Sequence, residues 1–151
     1  MKILGIDPGF DRVGWAIVDR ELSLFHLVSC GAVQTIKTES LPQRLRKIAL
    51  EIKNICCEFE PDQVVIEKLF FATNAKTAID VAQARGVVLL TCFEHIKDIV
   101  ELTPLQIKSA VTGDGHADKK AVEKMVRLQV KGVPPKVLDD TIDAIAAAMS
   151  A

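Results

Sequence analysis

The sequence contains no C-x-x-C pair, no histidine at zinc-finger distance from a cysteine, no long apolar run and no excess of charge of either sign. Its cysteines, Cys30, Cys56, Cys57 and Cys92, share no ligand spacing, which excludes a thiolate zinc site or a dithiol redox motif. They read as buried thiols in a reducing compartment. No stretch approaches bilayer-spanning length, and the start MKILGID lacks the basic region, apolar stretch and small-residue cleavage site of an export signal. The expectation is a soluble, cytoplasmic protein with no membrane partner. A net charge of −1 argues against a chain that is basic all over, although a cluster of acidic metal ligands would offset a basic face in the sum. Internal repeats, linkers and low-complexity segments are also missing. The 151 residues, 49% hydrophobic and 26% charged, therefore suit one globular domain with a substantial core.

What is present begins at Met1 to Asp19. A short apolar run (Ile3, Leu4, Ile6) delivers Asp7 to a Pro8-Gly9 turn, and an alternating run (Val13, Trp15, Ile17) leads away from it. Arg12 to Asp19 and Leu22 to Thr35 read as two further strands joined at Asp19-Arg20-Glu21, giving an antiparallel meander. Ser40-Leu41-Pro42-Gln43 has the form of a capping box with proline in the first turn. Leu45, Ile48, Ile52, Ile55 and Phe59 follow at helical spacing until Pro61. Val64 to Ile66 is a continuous apolar run ending at Glu67, as in a strand buried on both faces, and strand, helix, strand makes a crossover unit. A long helix over Thr73 to about Ile96 carries apolar residues on more than one face, one for the sheet and one for a second subunit. Ile99 to Leu102 gives a fifth strand. A short helix over Gln106–Val111, a helix over Ala117–Lys131 and an alanine-rich helix from Leu138 complete the chain. The expected fold is α/β, a five-stranded mixed sheet flanked by helices.

Acidic residues stand at element ends: Asp7, Glu67, and Asp139, Asp140 and Asp143 at the start of the last helix. Asp140 and Asp143 are three apart and share one helix face. If these carboxylates converged they would repel, and oxygen-only ligands suit two Mg²⁺ or Mn²⁺ ions. Two such ions about 4 Å apart can activate a water and stabilise a leaving 3′ oxygen, the chemistry of a nuclease or phosphoryl-transfer enzyme. Each acid also has a plainer reading: Asp7 as a turn former, Glu67 as a strand-end charge, Asp139 or Asp140 as a helix cap. Periodicity does not decide whether they meet.

Longer motifs bear on that choice. GIDPG with GWA (Gly5–Gly9, Gly14–Ala16), VVIEKLFFATNAKTA with QARG (Val64–Ala78, Gln83–Gly86), TPLQIKSAVTGDGHADKKAV (Thr103–Val122) and DDTIDAIAAA (Asp139–Ala148) resemble, in order and spacing, the RuvC family of Holliday-junction resolvases. That family belongs to the ribonuclease H and retroviral integrase superfamily. The resemblance implies a ribonuclease H-like fold over residues 1–151 as a single nuclease domain, with Asp7, Glu67, Asp140 and Asp143 as catalytic ligands of two Mg²⁺ ions, which Mn²⁺ can replace. Asp139 falls outside the D-x-x-D and reads as a helix cap. The resemblance further implies a homodimer that nicks a four-way DNA junction symmetrically in recombination and repair, leaving 5′-phosphate and 3′-hydroxyl ends, alongside the branch-migration proteins RuvA and RuvB. Lys108 and Lys119 match positions near the scissile phosphate, and Phe70 matches the position that stacks on an unpaired base. Phe71 is divided between that role and the core. Lys120, Lys124, Arg127 and Lys131, with Lys76 and Arg85 on the long helix, could track phosphates.

The GIDPGFDRVGWAI segment also resembles the phosphate loop of actin and sugar-kinase ATPases, but that fold needs two duplicated halves. A non-catalytic junction binder is disfavoured by the intact acidic set. The YqgF type of RNA nuclease has a similar first motif, and QARG with GDGHADKK favours RuvC.

Overall fold

Strand β1 (Lys2–Asp7) lies inside the sheet because its apolar residues are covered on both sides. Ile3 joins one core cluster, while Leu4 and Ile6 join another on the opposite face. It pairs antiparallel with β2 (Arg12–Glu21) and parallel with β4 (Gln63–Glu67). With β3 (Leu24–Gln34), β5 (Ile99–Leu102) and β6 (Val130–Lys131) the strand order is β5-β4-β1-β2-β3-β6. Helices α1 (Leu41–Phe59) and α2 (Ala75–His95) contribute the core of one face. Helices α3 (Pro104–Thr112), α4 (Lys119–Gln129) and α5 (Asp139–Met149) contribute that of the other. This computed structural model describes residues 1–68 and 75–151, with the side chains of Ala75 and Lys76 also left out of the description. No helix among the described residues is long and apolar enough to cross a membrane.

The sheet has six strands where five were expected. The sixth comes from the end of the helix expected over Ala117–Lys131, since Val130 and Lys131 leave it to pair with Phe25 and His26 of β3. Val130 is buried there, and a two-residue edge strand has too short a pattern to separate from a helix end. The β2–β3 turn is also displaced, to Leu22-Ser23, because Asp19, Arg20 and Glu21 pair with His26, Phe25 and Leu24. Past the start of β1 these pairs are half-buried or exposed, and charged residues remain strand-compatible there.

Local signals explain the helix starts. In α1, Ser40 N–H and Oγ both donate to Gln43 Oε1, at 2.9 and 2.7 Å. A second capping box went unread at Thr103-Pro104-Leu105-Gln106, where Gln106 N–H donates to Thr103 Oγ1 (3.2 Å) and Thr103 N–H to Gln106 Oε1 (2.9 Å). One charged residue lies under α1: Arg44 is buried, donating to Thr35 Oγ1 (2.9 Å), Phe10 O (3.2 Å) and Asp11 Oδ1 (2.5 Å), with its guanidinium over the Phe10 ring. This satisfied guanidinium pins the β1–β2 turn, whose other end carries Asp7.

Candidate active site at the ends of β1 and β4

Strands β1 and β4 run parallel with Ile6 opposite Ile66, so their carboxyl ends, and with them Asp7 and Glu67, lie side by side. Helix α5 reaches this edge because two glycines let it press onto the sheet. A Cβ on Gly5 would meet Ala144 O at 2.0 Å, and one on Gly14 would meet Asp140 O at 2.0 Å. Gly14 is the register partner of Asp7, so the start of α5 sits directly beside that carboxylate. Asp139 is the first residue of α5 and Leu138 occupies the cap position, without a side-chain hydrogen bond. The expected capping role of Asp139 is thereby corrected. With Asp140 it places negative charge in the first turn, where the unpaired N–H groups favour it.

Asp7, Glu67, Asp140 and Asp143 line one cleft of about 390 Å³ together with Lys108 of α3 and Lys119 of α4. Asp118 fixes the start of α4 by accepting from Ala121 N–H at 2.8 Å, which aims Lys119 at the cleft. Lys119 Nζ then lies 3.3 Å from Asp143 Oδ2. A larger groove of about 530 Å³ opens between β3 and α1, but its lining of Trp15, Lys47, Glu51, Glu58 and others lacks a convergent acidic set.

Charge repulsion is legible in the proton affinities. Burial, reinforced by Glu67, Asp143 and Asp140, pushes the Asp7 carboxyl up to about 8, against the opposing pull of Lys119. Burial and then Asp143 raise Glu67 to about 7, with Lys119 and Lys108 opposing. Asp143 is also raised, chiefly by burial, and Lys119 offsets part of that. Lys119 is raised in turn, first by the Asp143 charge. Such a set calls for cations. Asp140 Oδ2 is buried and lacks a hydrogen-bond partner, an acceptor left for a ligand. Among the described residues no three acidic, histidine or cysteine side chains stand close enough together to hold a metal ion as they are placed. An open carboxylate-lined cleft fits Mg²⁺, which retains waters and shares its coordination with substrate phosphates.

The other sequence-predicted residues distribute unevenly. Lys120 and Lys124 are exposed on α4. Arg85 of α2 ion-pairs with Glu101 of β5 and donates Nε–H to Glu67 O at 3.3 Å, so it braces the strand that ends in Glu67. Arg127 is held by Glu123 and by Pro134 O. Phe70 and Phe71 lie outside the described residues, as does the Lys76 side chain. One residue was missed. Arg12 Nε stands 2.9 Å from Asp140 Oδ2, close but out of hydrogen-bond alignment. Strand alternation could have found it, since Arg12, Gly14, Ala16 and Val18 point to one face and Ala16 and Val18 pack in the core beneath α5.

Comparison with known proteins identifies the family. The sequence model of the family described as crossover junction endodeoxyribonuclease RuvC matches residues 3–151. The RuvC of Alkaliphilus oremlandii is 45% identical over 151 residues, covering 99% of this chain and 91% of that protein. That of Alkaliphilus metalliredigens is 44% identical over 149 residues with the same coverages. The solved structure of Thermus thermophilus RuvC in complex with a Holliday junction substrate superposes with a TM-score of 0.91 at 30% identity, covering 99% of this chain and 92% of that one. On its sequence and its fold alike, this chain belongs to the RuvC family of crossover junction endodeoxyribonucleases.

Proposed function

We propose that this chain is a structure-selective endonuclease that resolves four-way DNA junctions by paired symmetric nicks, acting as a single nuclease domain over residues 1–151. The observation that carries the reading is the convergence of four carboxylates from β1, β4 and α5 with two lysines on one cleft. Two Mg²⁺ ions, or Mn²⁺ in their place, held by Asp7, Glu67, Asp140 and Asp143 would supply Lewis acidity to an attacking water and a departing 3′ oxygen. The chain's own groups do the rest. Lys119 and Lys108 face the phosphate oxygens as negative charge develops, in a cleft where a fixed cation acts more strongly than in water. Lys120 and Lys124 follow the backbone away from the cut.

The test is a four-way junction, a linear duplex and a structured RNA incubated separately with the protein and Mg²⁺. Paired nicks in the junction alone are expected, and Glu67→Gln should abolish them while junction binding persists. Equal cutting of linear duplex would overturn the reading. Lys119→Ala should slow cutting on the order of a hundredfold with little change in junction affinity, as removal of a group acting on the transition state does. A loss of affinity in proportion to the loss of rate would move Lys119 to the phosphate-tracking group.

Paired nicks require two sites, and α2 supplies a surface for a second copy. Ile79, Leu90 and Phe93 are 71%, 63% and 52% exposed on one stripe, and the space over Gly86 between them is open. A stripe of this kind on a two-fold axis buries itself against its own copy. Leu90→Glu is expected to weaken dimerisation at least tenfold, read by sedimentation, and to replace paired nicks by single ones. Membership of the family points to RuvA and RuvB as further partners and to a cytoplasmic site of action.

A further inference from the structure

Lys108 and Lys119 line the cleft and already have roles in the proposed reaction, and among the described residues a further cation stands against one of its carboxylates, Asp140. That cation is Arg12. Its position follows from the backbone: it opens β2 at the far side of the turn after Asp7, two residues before Gly14, and so lies on the face against which Asp140 is pressed. Its side chain is 47% exposed, so water reaches the guanidinium beside Asp140. The contact lacks the alignment of a hydrogen bond, and Asp140 Oδ2 is left unsatisfied despite a guanidinium 2.9 Å away. Arg44 contrasts with it. That buried arginine donates to Thr35, Phe10 and Asp11 and so holds the same turn.

A half-exposed guanidinium on a turn pinned by Arg44, at the rim of an acidic cleft, has a poor partner in Asp140 and would have a better one in a phosphate diester. A phosphate offers two acceptor oxygens to the planar fork of arginine, and Asp140 no longer needs Arg12 once it serves a metal. Resting on the nuclease reading above, we propose that Arg12 is a phosphate-contacting residue of this site, held against Asp140 until DNA enters and then paired with the backbone of the strand to be cut. Arg12 thereby adds DNA affinity at the catalytic end of β1.

The experiment measures binding of a labelled four-way junction with Mg²⁺ over a salt series, in a Glu67→Gln parent protein that binds without cutting, alone and combined with Arg12→Gln or Arg12→Lys, with melting temperatures alongside. Arg12→Gln is expected to bind about five- to tenfold more weakly, with the slope of log affinity against log salt reduced by about one per active site. Arg12→Lys should recover most of the affinity and slope. Unchanged binding and slope in Arg12→Gln would overturn the proposal, whether or not the melting temperature moves, because a counter-ion for Asp140 or a surface brace has no salt-dependent share in DNA binding. Failure of the parent protein to bind the junction would instead strike the nuclease reading itself.

Discussion

In a metal-free melt at pH 8, Asp7→Asn is expected to be more stable than the parent protein by roughly 3 kcal/mol, and with Mg²⁺ to cut four-way junctions on the order of a thousandfold more slowly or not at all. Asp7 binds its proton up to about 8 in the folded cleft, against an ordinary 3.8, because burial and three neighbouring carboxylates oppose its charge. The folded state therefore holds a proton that the unfolded chain releases. Stability must fall as pH rises from 3.8 towards about 8, and above that the full penalty is present. At about 1.4 kcal/mol per pH unit the shift corresponds to roughly 6 kcal/mol, which relaxation of an open cleft reduces to roughly 3. Asparagine removes the charge at nearly constant shape, so its advantage should vanish at pH 4 and grow with pH. Glu67→Gln should behave alike over a narrower window, since Glu67 rises from 4.5 only to about 7. Added Mg²⁺ should raise the melting temperature of the parent and not that of Asp7→Asn. A variant destabilised at every pH, or one that still cuts, would refute the assignment of Asp7.

Stability gained together with activity lost separates a functional acid from a structural one. Asp11 makes the comparison within the same turn. Its carboxyl is held below its ordinary range, first by the hydrogen bond from Arg44, so neutralising it should cost stability. Two aspartates four positions apart thus differ in sign, and the cause is the partner each one meets.

That difference marks where the sequence was readable. The apolar runs before Asp7 and Glu67 have the period and length of buried strands, and the Ser40 box has its helix written in four residues. The order of motifs, more than their periodicity, brought the carboxylates into one expectation, because nothing local says that residue 7 and residue 143 share a cleft. What was not legible depended on partners distant in the chain. Arg44 sits on a helical stripe where an apolar residue is expected, and its burial makes sense only once Phe10, Asp11 and Thr35 surround it. Arg85 reads as a cation on a helix until Glu101 and the Glu67 carbonyl are found within its reach. The short β6 exists only because β3 offers it an edge.

Gly5→Ala is expected to cost about 3–5 kcal/mol of folding stability in urea titration, and Gly14→Ala to cost less but to slow junction cutting roughly a hundredfold. The two glycines lie on the same face of adjacent strands, and both receive the backbone of α5. A methyl on Gly5 would stand 2.0 Å from Ala144 O and 2.6 Å from Ala148 N, in the middle of a helix buried along Ala144 to Ala148. Backbone there cannot yield without lifting the whole helix off the sheet, so the loss falls on the fold. A methyl on Gly14 meets Asp140 O at 2.0 Å and Asp140 Cβ at 3.0 Å, in the first turn, where a helix end can shift without losing its core. The displacement then falls on Asp140, and a misplacement of about 1 Å in a group that positions the reaction is enough for a hundredfold loss. Folding and cutting measured on the same two proteins should therefore move apart. A Gly14→Ala variant with parental cutting would show that Asp140 does not need its present place, and with it the four-carboxylate reading would fail.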